Sequence, residues 1–301
     1  MRAAASGASG TARQQAVLAA MPWVFVGVWS TGFVVARLAM PHAPPLSFLC
    51  WRYAFSLLAF GLWIAVAGVP WPRERAQWGH LAVSGVLMHA GYLGGVWAAV
   101  KAGIPAGTVA LIVGLQPLLT ALWVSRRGQH RVAPLQWLGL GLGLAGLLLV
   151  VWPKLGRGEV TAFNLGLSTL ALLSITVGTL YQKRHVLPGD VRSANFVQLA
   201  AALVLTAPLA WLEPGRLEWQ PELVLALVWS VLGLSLGASS LLFLLIQRGA
   251  ATRVTSLFYL VPPCTAVLAW LLFDERMTRL AWAGMALCAL GVGLALRADR
   301  A

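Results

Sequence analysis

Residues 139–151 read GLGLGLAGLLLVV. A strand that crosses a membrane alternates apolar and polar positions over about ten residues, and this stretch has no polar position to contribute. An α-helix satisfies its backbone donors and acceptors internally and can be apolar on every face, so lipid permits it here. The choice between barrel and bundle is therefore made in favour of helices.

The same kind of run recurs along the chain. Of 301 residues, 59% are hydrophobic and 10% charged, against about 25% charged in an ordinary soluble domain. Setting the charged residues aside leaves ten runs, 14–36, 53–72, 76–100, 102–125, 132–153, 160–182, 193–212, 223–247, 254–273 and 280–296. Crossing a hydrocarbon core of about 30 Å takes around 20 residues at about 1.5 Å per residue. Each run meets that length, the tenth narrowly. The expected fold class is all-α integral membrane with ten transmembrane helices, a multi-pass protein of the cell membrane whose bulk partner is the lipid bilayer.

The net charge of +13 would suit nucleic acid if it formed a patch or stripe. The basic residues instead lie between the apolar runs, so no nucleic-acid partner is expected. Arg2 and Arg13 precede an apolar run as in a signal peptide, but the run continues to Ala36 without a convincing cleavage site and reads as an uncleaved first helix. Cys50, Cys264 and Cys288 show neither metal-type spacing nor a secreted framework. No metal or cofactor is expected.

With a cytoplasmic N-terminus and ten crossings, fourteen basic residues fall on the cytoplasmic side and seven on the other, with Arg52 inside the second helix. The excess of Lys and Arg on inner loops favours that orientation, with both termini cytoplasmic. An offset of 146 pairs Gly32 with Gly178, Ser47 with Ser193, Gly91 with Gly237, Gly103 with Gly249 and Pro117 with Pro263. After a one-residue slip, Trp137, Gly139 and Gly146 match Trp282, Gly284 and Gly291. The reading is two five-helix repeats, 1–157 and 158–301, within one transmembrane domain. An odd number of helices per repeat inverts the second copy relative to the first, which is the arrangement that supports alternating access around a midplane site.

Several local patterns then resemble the EamA-like members of the drug/metabolite transporter superfamily. They are Trp29-Ser30-Thr31-Gly32-Phe33, Trp51-Arg52-Tyr53, and the stretch from Gly103 through Ala110 to Gln116-Pro117. In the second half they are Gly249-Ala250-Ala251, Pro262-Pro263, Asp274-Glu275 and Trp282-Ala283-Gly284 followed by Gly291. The first half has Gly128-Gln129 where that family commonly carries an acid. The resemblance implies transport of a small-molecule solute, with export as the implied direction, and leaves the solute unnamed.

Candidate substrate-binding residues follow from the cost of polarity in lipid. Arg52 lies inside the second helix, where a charge is costly and faces the protein interior. Its planar fork suits a carboxylate or phosphate, and snorkelling or bonding to helix-end carbonyls is the other reading. His89 sits mid-run beside Tyr92, either as a titratable site group or as a neutral packing histidine bonded to a neighbouring helix. Trp29, Ser30, Trp97, Gln198, Ser235 and Tyr259 supply the aromatic walls and sparse polar groups of a ligand pocket, and each also reads as packing. Pro117 and Pro263, with Gln116 and Pro262 adjoining, fall at equivalent midpoints and read as kinks or hinges, since proline removes a helical donor. Gly139-x-x-x-Gly143 and Ala289-x-x-x-Gly293 permit close helix approach and suggest scaffold packing or a homodimer through the fifth and tenth helices.

Two motifs are false leads. Gly141-x-Gly143-x-x-Gly146 lacks the strand and the acid that a dinucleotide site needs. Gly233-x-Ser235-x-Gly237 lacks the downstream histidine of a nucleophile elbow, since the last histidine is His185. No Asp or Glu lies in any of the ten runs, which disfavours both an enzyme and a carboxylate-dependent efflux of cationic drugs. The reading is a carrier for an amino acid or similar metabolite. An importer or exchanger of organic anions or nucleotide-linked solutes is the alternative within transport, and a scaffold or sensor the alternative outside it.

Overall fold

The computed structural model describes residues 2–126, 133–155, 159–248, 257–273 and 278–298, and every regular element among them is a helix. α1 runs Arg2–Ala39, α2 Pro45–Ala67, α3 Arg75–Lys101, and α4 comes in two pieces, Ala106–Val113 and Gln116–Arg126. α5 is Pro134–Leu155, α6 Ala162–His185, α7 Val191–Trp211, α8 Pro221–Arg248, α9 Val261–Phe273 and α10 Arg279–Ala298. Among the described residues seven helices are long and apolar enough to cross a membrane: α1 from Ala20, α2, α3, α4, α6, α7 and α8. Val261–Phe273 and Arg279–Gly291 are apolar but shorter. The expected ten crossings thus stand at seven such helices with shorter apolar ones beside them. The ninth run is cut short because Leu257–Leu260 is a 3-10 turn and the α-helix starts only at Val261, and the tenth is the shortest of the ten runs.

The ends of the helices have local causes. Pro45 occupies the first turn of α2, where its missing N–H costs no helical bond. The helix stops at Gly68, whose φ of +59° suits the left-handed cap and whose N–H bonds to the Ile64 carbonyl. α6 opens on a reciprocal cap, with Asn164 N–H donating to Thr161 Oγ1 at 3.2 Å and Thr161 N–H donating to Asn164 Oδ1 at 2.9 Å. α3 and α8 each widen into a π-helical stretch, Val86–Gly91 and Ser230–Ala238. α2 and α7 begin 146 positions apart, at Pro45 and Val191, and so do α3 and α8, at Arg75 and Pro221.

Polarity is distributed as lipid requires. Val66, Leu62, Val204 and Leu225 lie on the outside, while Arg52, His89, Gln116, Gln182, Asn195 and Gln198 are buried. Apolar association gains little between helices already in hydrocarbon, so close packing must hold them together. The seam between α5 and α10 shows how. A Cβ on Gly146 would collide with the Gly284 carbonyl oxygen, and one on Gly291 with the Gly139 carbonyl oxygen. The Gly139 and Gly143 face of α5 thus packs against Gly291 of α10, whereas Ala289 and Gly293 of α10 are exposed.

The prolines sit differently from the expected mid-helix kinks. α4 breaks at Gly114–Leu115, and Pro117 is the second residue of its second piece. Pro262 and Pro263 are the second and third residues of α9, which follows a 3-10 turn at Leu257–Leu260. Each proline thus stands in a first turn, where its ring meets no preceding carbonyl of its own helix. The chain breaks just ahead of the proline instead of bending at it. The two breaks also meet, because a Cβ on Gly114 would lie 2.8 Å from the Pro262 ring.

Candidate functional site

Arg52 projects from the third turn of α2 and is 3% exposed. Its Nε donates to Ser235 Oγ of α8 at 3.1 Å. The ion pairs of His42 with Glu218 and Arg192 with Asp190 lie elsewhere, and no carboxylate among the described residues neutralises Arg52. A buried cation without a counter-charge carries a desolvation cost of several kcal/mol and a strong attraction for an anion. That makes it an effective ligand for one.

The guanidinium lines a cavity shared with Trp29 of α1 and His89, Tyr92 and Trp97 of α3. The cavity measures about 30 Å³ inside about 410 Å³ of loosely filled space. Since ~10–15 Å³ holds one water, this conformation admits water but no metabolite until the walls part. Trp29 stacks on Tyr92 with centroids 5.9 Å apart and planes within 6°, and Phe48 stacks on Trp97 at 4.5 Å. These pairs stiffen the apolar walls.

The π-helical turns bring polar groups to this place. An extra residue in a helical turn displaces the regular bonding pattern, and such turns gather at functional sites. His89 lies in the first turn, and its carbonyl accepts the Tyr53 hydroxyl at 2.9 Å. Ser235, the partner of Arg52, lies in the second.

Of the residues expected at a site, Arg52, Trp29, His89, Tyr92 and Trp97 share this cavity, and Ser235 is bonded to Arg52. Gln198 faces an adjoining space together with Gln182, Asn195 and His89. Ser30 and Gln116 are elsewhere. Ser30 Oγ donates to the Val26 carbonyl at 2.7 Å and to the Val261 carbonyl at 3.4 Å, tying α1 to α9. Gln116 Nε2 donates to Thr179 Oγ1 at 3.1 Å and to the Ile175 carbonyl at 3.4 Å, tying α4 to α6. Tyr259 belongs to the 3-10 turn and its side chain is outside the described residues. Gln182 and Asn195, which line the adjoining space, were not singled out in the sequence, although polar residues in or beside apolar runs were the available signal.

The family model described as the EamA-like transporter family matches residues 16–152 and again 164–297. The chain belongs to the EamA-like transporter family. An inner membrane transporter of Escherichia coli (strain K12), YedA, is 25% identical over 269 residues, covering 89% of this chain and 86% of its own. A probable amino-acid metabolite efflux pump of the same organism is 25% identical over 295 residues, covering 93% of this chain and 94% of its own. One solved crystal structure, 20% identical, matches with a TM-score of 0.74 over 93% of this chain and 96% of that one, and so shares the fold. This EamA-like chain is accordingly a multi-pass membrane transporter. Buried polar side chains inside an apolar bundle are what a transport path through lipid demands.

Proposed function

We propose that the protein is an alternating-access exporter of an amino acid or similar small carboxylate-bearing metabolite, with Arg52 holding the carboxylate. The observation that carries this is the buried, unneutralised guanidinium in a narrow cavity walled by Trp29, Tyr92 and Trp97. Two inverted five-helix halves, 1–157 and 158–301, would rock about that cavity with Pro117, Pro262 and Pro263 beside the hinges. The double family match and the helix starts 146 positions apart support two related halves. The excess of basic residues on one set of loops supports cytoplasmic termini. Export rests on the relative named as a probable amino-acid metabolite efflux pump. If two copies associate through α5 and α10, they do so with the outward faces that carry Leu138, Trp282, Ala289 and Gly293.

The experiment is an untargeted comparison of metabolites inside and outside cells that overexpress the protein or its Arg52→Ala variant at equal membrane levels. Export predicts one class of carboxylate enriched outside with the unaltered chain alone. Enrichment inside the cells instead would favour the organic-anion importer. No difference between the unaltered chain and Arg52→Ala would remove Arg52 from the path.

A further inference from the structure

The geometry points to a second polar subsite, formed by Gln182 and Asn195, that takes a neutral hydrogen-bonding group at the far end of the same solute. The inference rests on the reading of Arg52 as the carboxylate anchor. The space containing Gln182, Asn195 and Gln198 adjoins the Arg52 cavity and shares Trp29, Met88, His89 and Ser239 with it. Together the two spaces make one path with a cation at one end and amides at the other.

The amides are held in definite orientations. Gln198 Nε2 donates to Ser84 Oγ at 2.8 Å and to Gln182 Oε1 at 2.9 Å, so the Gln182 oxygen is engaged. Its Nε2 has no partner. Asn195 Nδ2 donates to the Val191 carbonyl at 2.8 Å, and its Oδ1 has none. Gln182 and Asn195 are 2% and 1% exposed. Seven buried side-chain atoms lack partners among the described residues, and of these only the Gln182 nitrogen and the Asn195 oxygen belong to residues that line this path. A buried polar atom left unpaired is costly, and a ligand that pairs both recovers that cost.

The chemistry of the ligand group follows from one free donor and one free acceptor. A carboxamide or hydroxyl supplies the complementary pair. A second carboxylate would accept from Gln182 but oppose the Asn195 oxygen. An ammonium would bond to Asn195 but leave its charge facing the Gln182 N–H, and none of the residues lining the space is acidic. The solute class is therefore a monocarboxylate, with or without an α-amino group, whose other end is an amide or alcohol.

The test uses the purified full chain in detergent, with thermal stabilisation read against three probes of similar length: glutarate monoamide, 5-aminopentanoate and hexanoate. The monoamide should bind at least tenfold more tightly than the other two. Asn195→Leu should remove that advantage, bringing the monoamide down to the level of hexanoate. Arg52→Gln should weaken all three. Equal binding of the three probes, still sensitive to Arg52→Gln, would overturn the amide subsite and leave the anchor standing. A preference for the monoamide that survives Asn195→Leu would also overturn it. If no probe binds, or none responds to Arg52→Gln, the anchor fails and the subsite with it. The probe series on the unaltered chain needs no variant to fold.

Discussion

Arg52 and Gln198 stand 146 positions apart, in helices whose starts are also 146 apart, yet one is a cation and the other an amide. Each reaches the other half of the chain or its edge: Arg52 bonds Ser235 in the π-helical turn of α8, and Gln198 bonds Ser84 just before the π-helical turn of α3. The residues inside those turns correspond as well, since His89 and Ser235 are 146 apart. The scaffold is nearly repeated while the chemistry is not. A repeated backbone supplies two equivalent places to put a polar group, and different side chains there give the cavity a direction along which a bipolar solute can align.

The largest effect that separates the two places is expected at the cation. Losing one side of a buried charged contact costs about 2–5 kcal/mol, so Arg52→Ala should cut transport by at least thirtyfold. Gln198→Leu, which removes two neutral hydrogen bonds to Ser84 and Gln182, should cut it less. Flux in proteoliposomes at matched protein content measures both. Equal losses would mean that the charge gives the cavity no direction and that both residues act through packing.

A second comparison sets the site against the seam of α5 and α10. Gly146 abuts the Gly284 backbone, whereas a Cβ on Gly141 meets nothing within 4 Å. Gly146→Ala should therefore lower stability by about 1–3 kcal/mol, as overpacking does, and Gly141→Ala should leave it unchanged. Thermal melting in detergent reads this. If both substitutions are silent, the helices are free to separate and the seam does not hold the bundle.

The helix starts offer a finer contrast. The first turn of α2 is capped from the far end of α7, where the Glu213 carboxylate accepts from Leu46 N–H at 3.0 Å, Ser47 N–H at 2.9 Å and Ser47 Oγ at 3.3 Å. Removing a helix cap costs about 0.5–2 kcal/mol, and Glu213→Ala should lower the melting temperature accordingly. Because this cap joins two helices, Glu213→Ala should also expose the α2 start to faster amide exchange. Unchanged exchange there would show that packing alone holds the two ends together.

Much of this was legible in the sequence, and the reasons differ by residue. Arg52 and His89 are conspicuous because an ionisable group inside an apolar run has few neutral explanations, and the aromatic residues around them were expected for the same cavity. Gln182 and Asn195 escaped notice because each sits near a run end, beside Lys183 and Arg192, where polarity looks like a loop. Ser30 and Gln116 were expected at the site by the same reasoning that found His89. Their bonds to backbone in neighbouring helices depend on which face each presents, and apolar composition carries no face signal. The π-helical turns have no compositional mark at all. The prolines were placed correctly along the chain, but whether a helix bends or breaks there depends on what packs against it, here Pro262 against Gly114.

The smallest effect belongs to the start of α7, which carries its own cap. Asp190 accepts from Arg192 N–H at 2.9 Å and holds the Arg192 guanidinium through Nη2 at 2.7 Å. The hydrogen bond from Arg192, together with its charge, keeps the Asp190 carboxyl below the usual carboxylate range. A depressed folded-state value means that the contact stabilises the protein above the unfolded carboxylate value of about 3.9 and loses that effect as pH falls through the lower folded value. Asp190→Asn should accordingly destabilise the chain at neutral pH by less than Glu213→Ala does, because the pair is only half-buried and is partly screened by solvent. The difference from the unaltered protein should close as the melt is repeated at pH 5, 4 and 3. A gap that stays constant over that range would mean that the shape of the Asp190 side chain as a hydrogen-bond acceptor, not its charge, is what the α7 start uses.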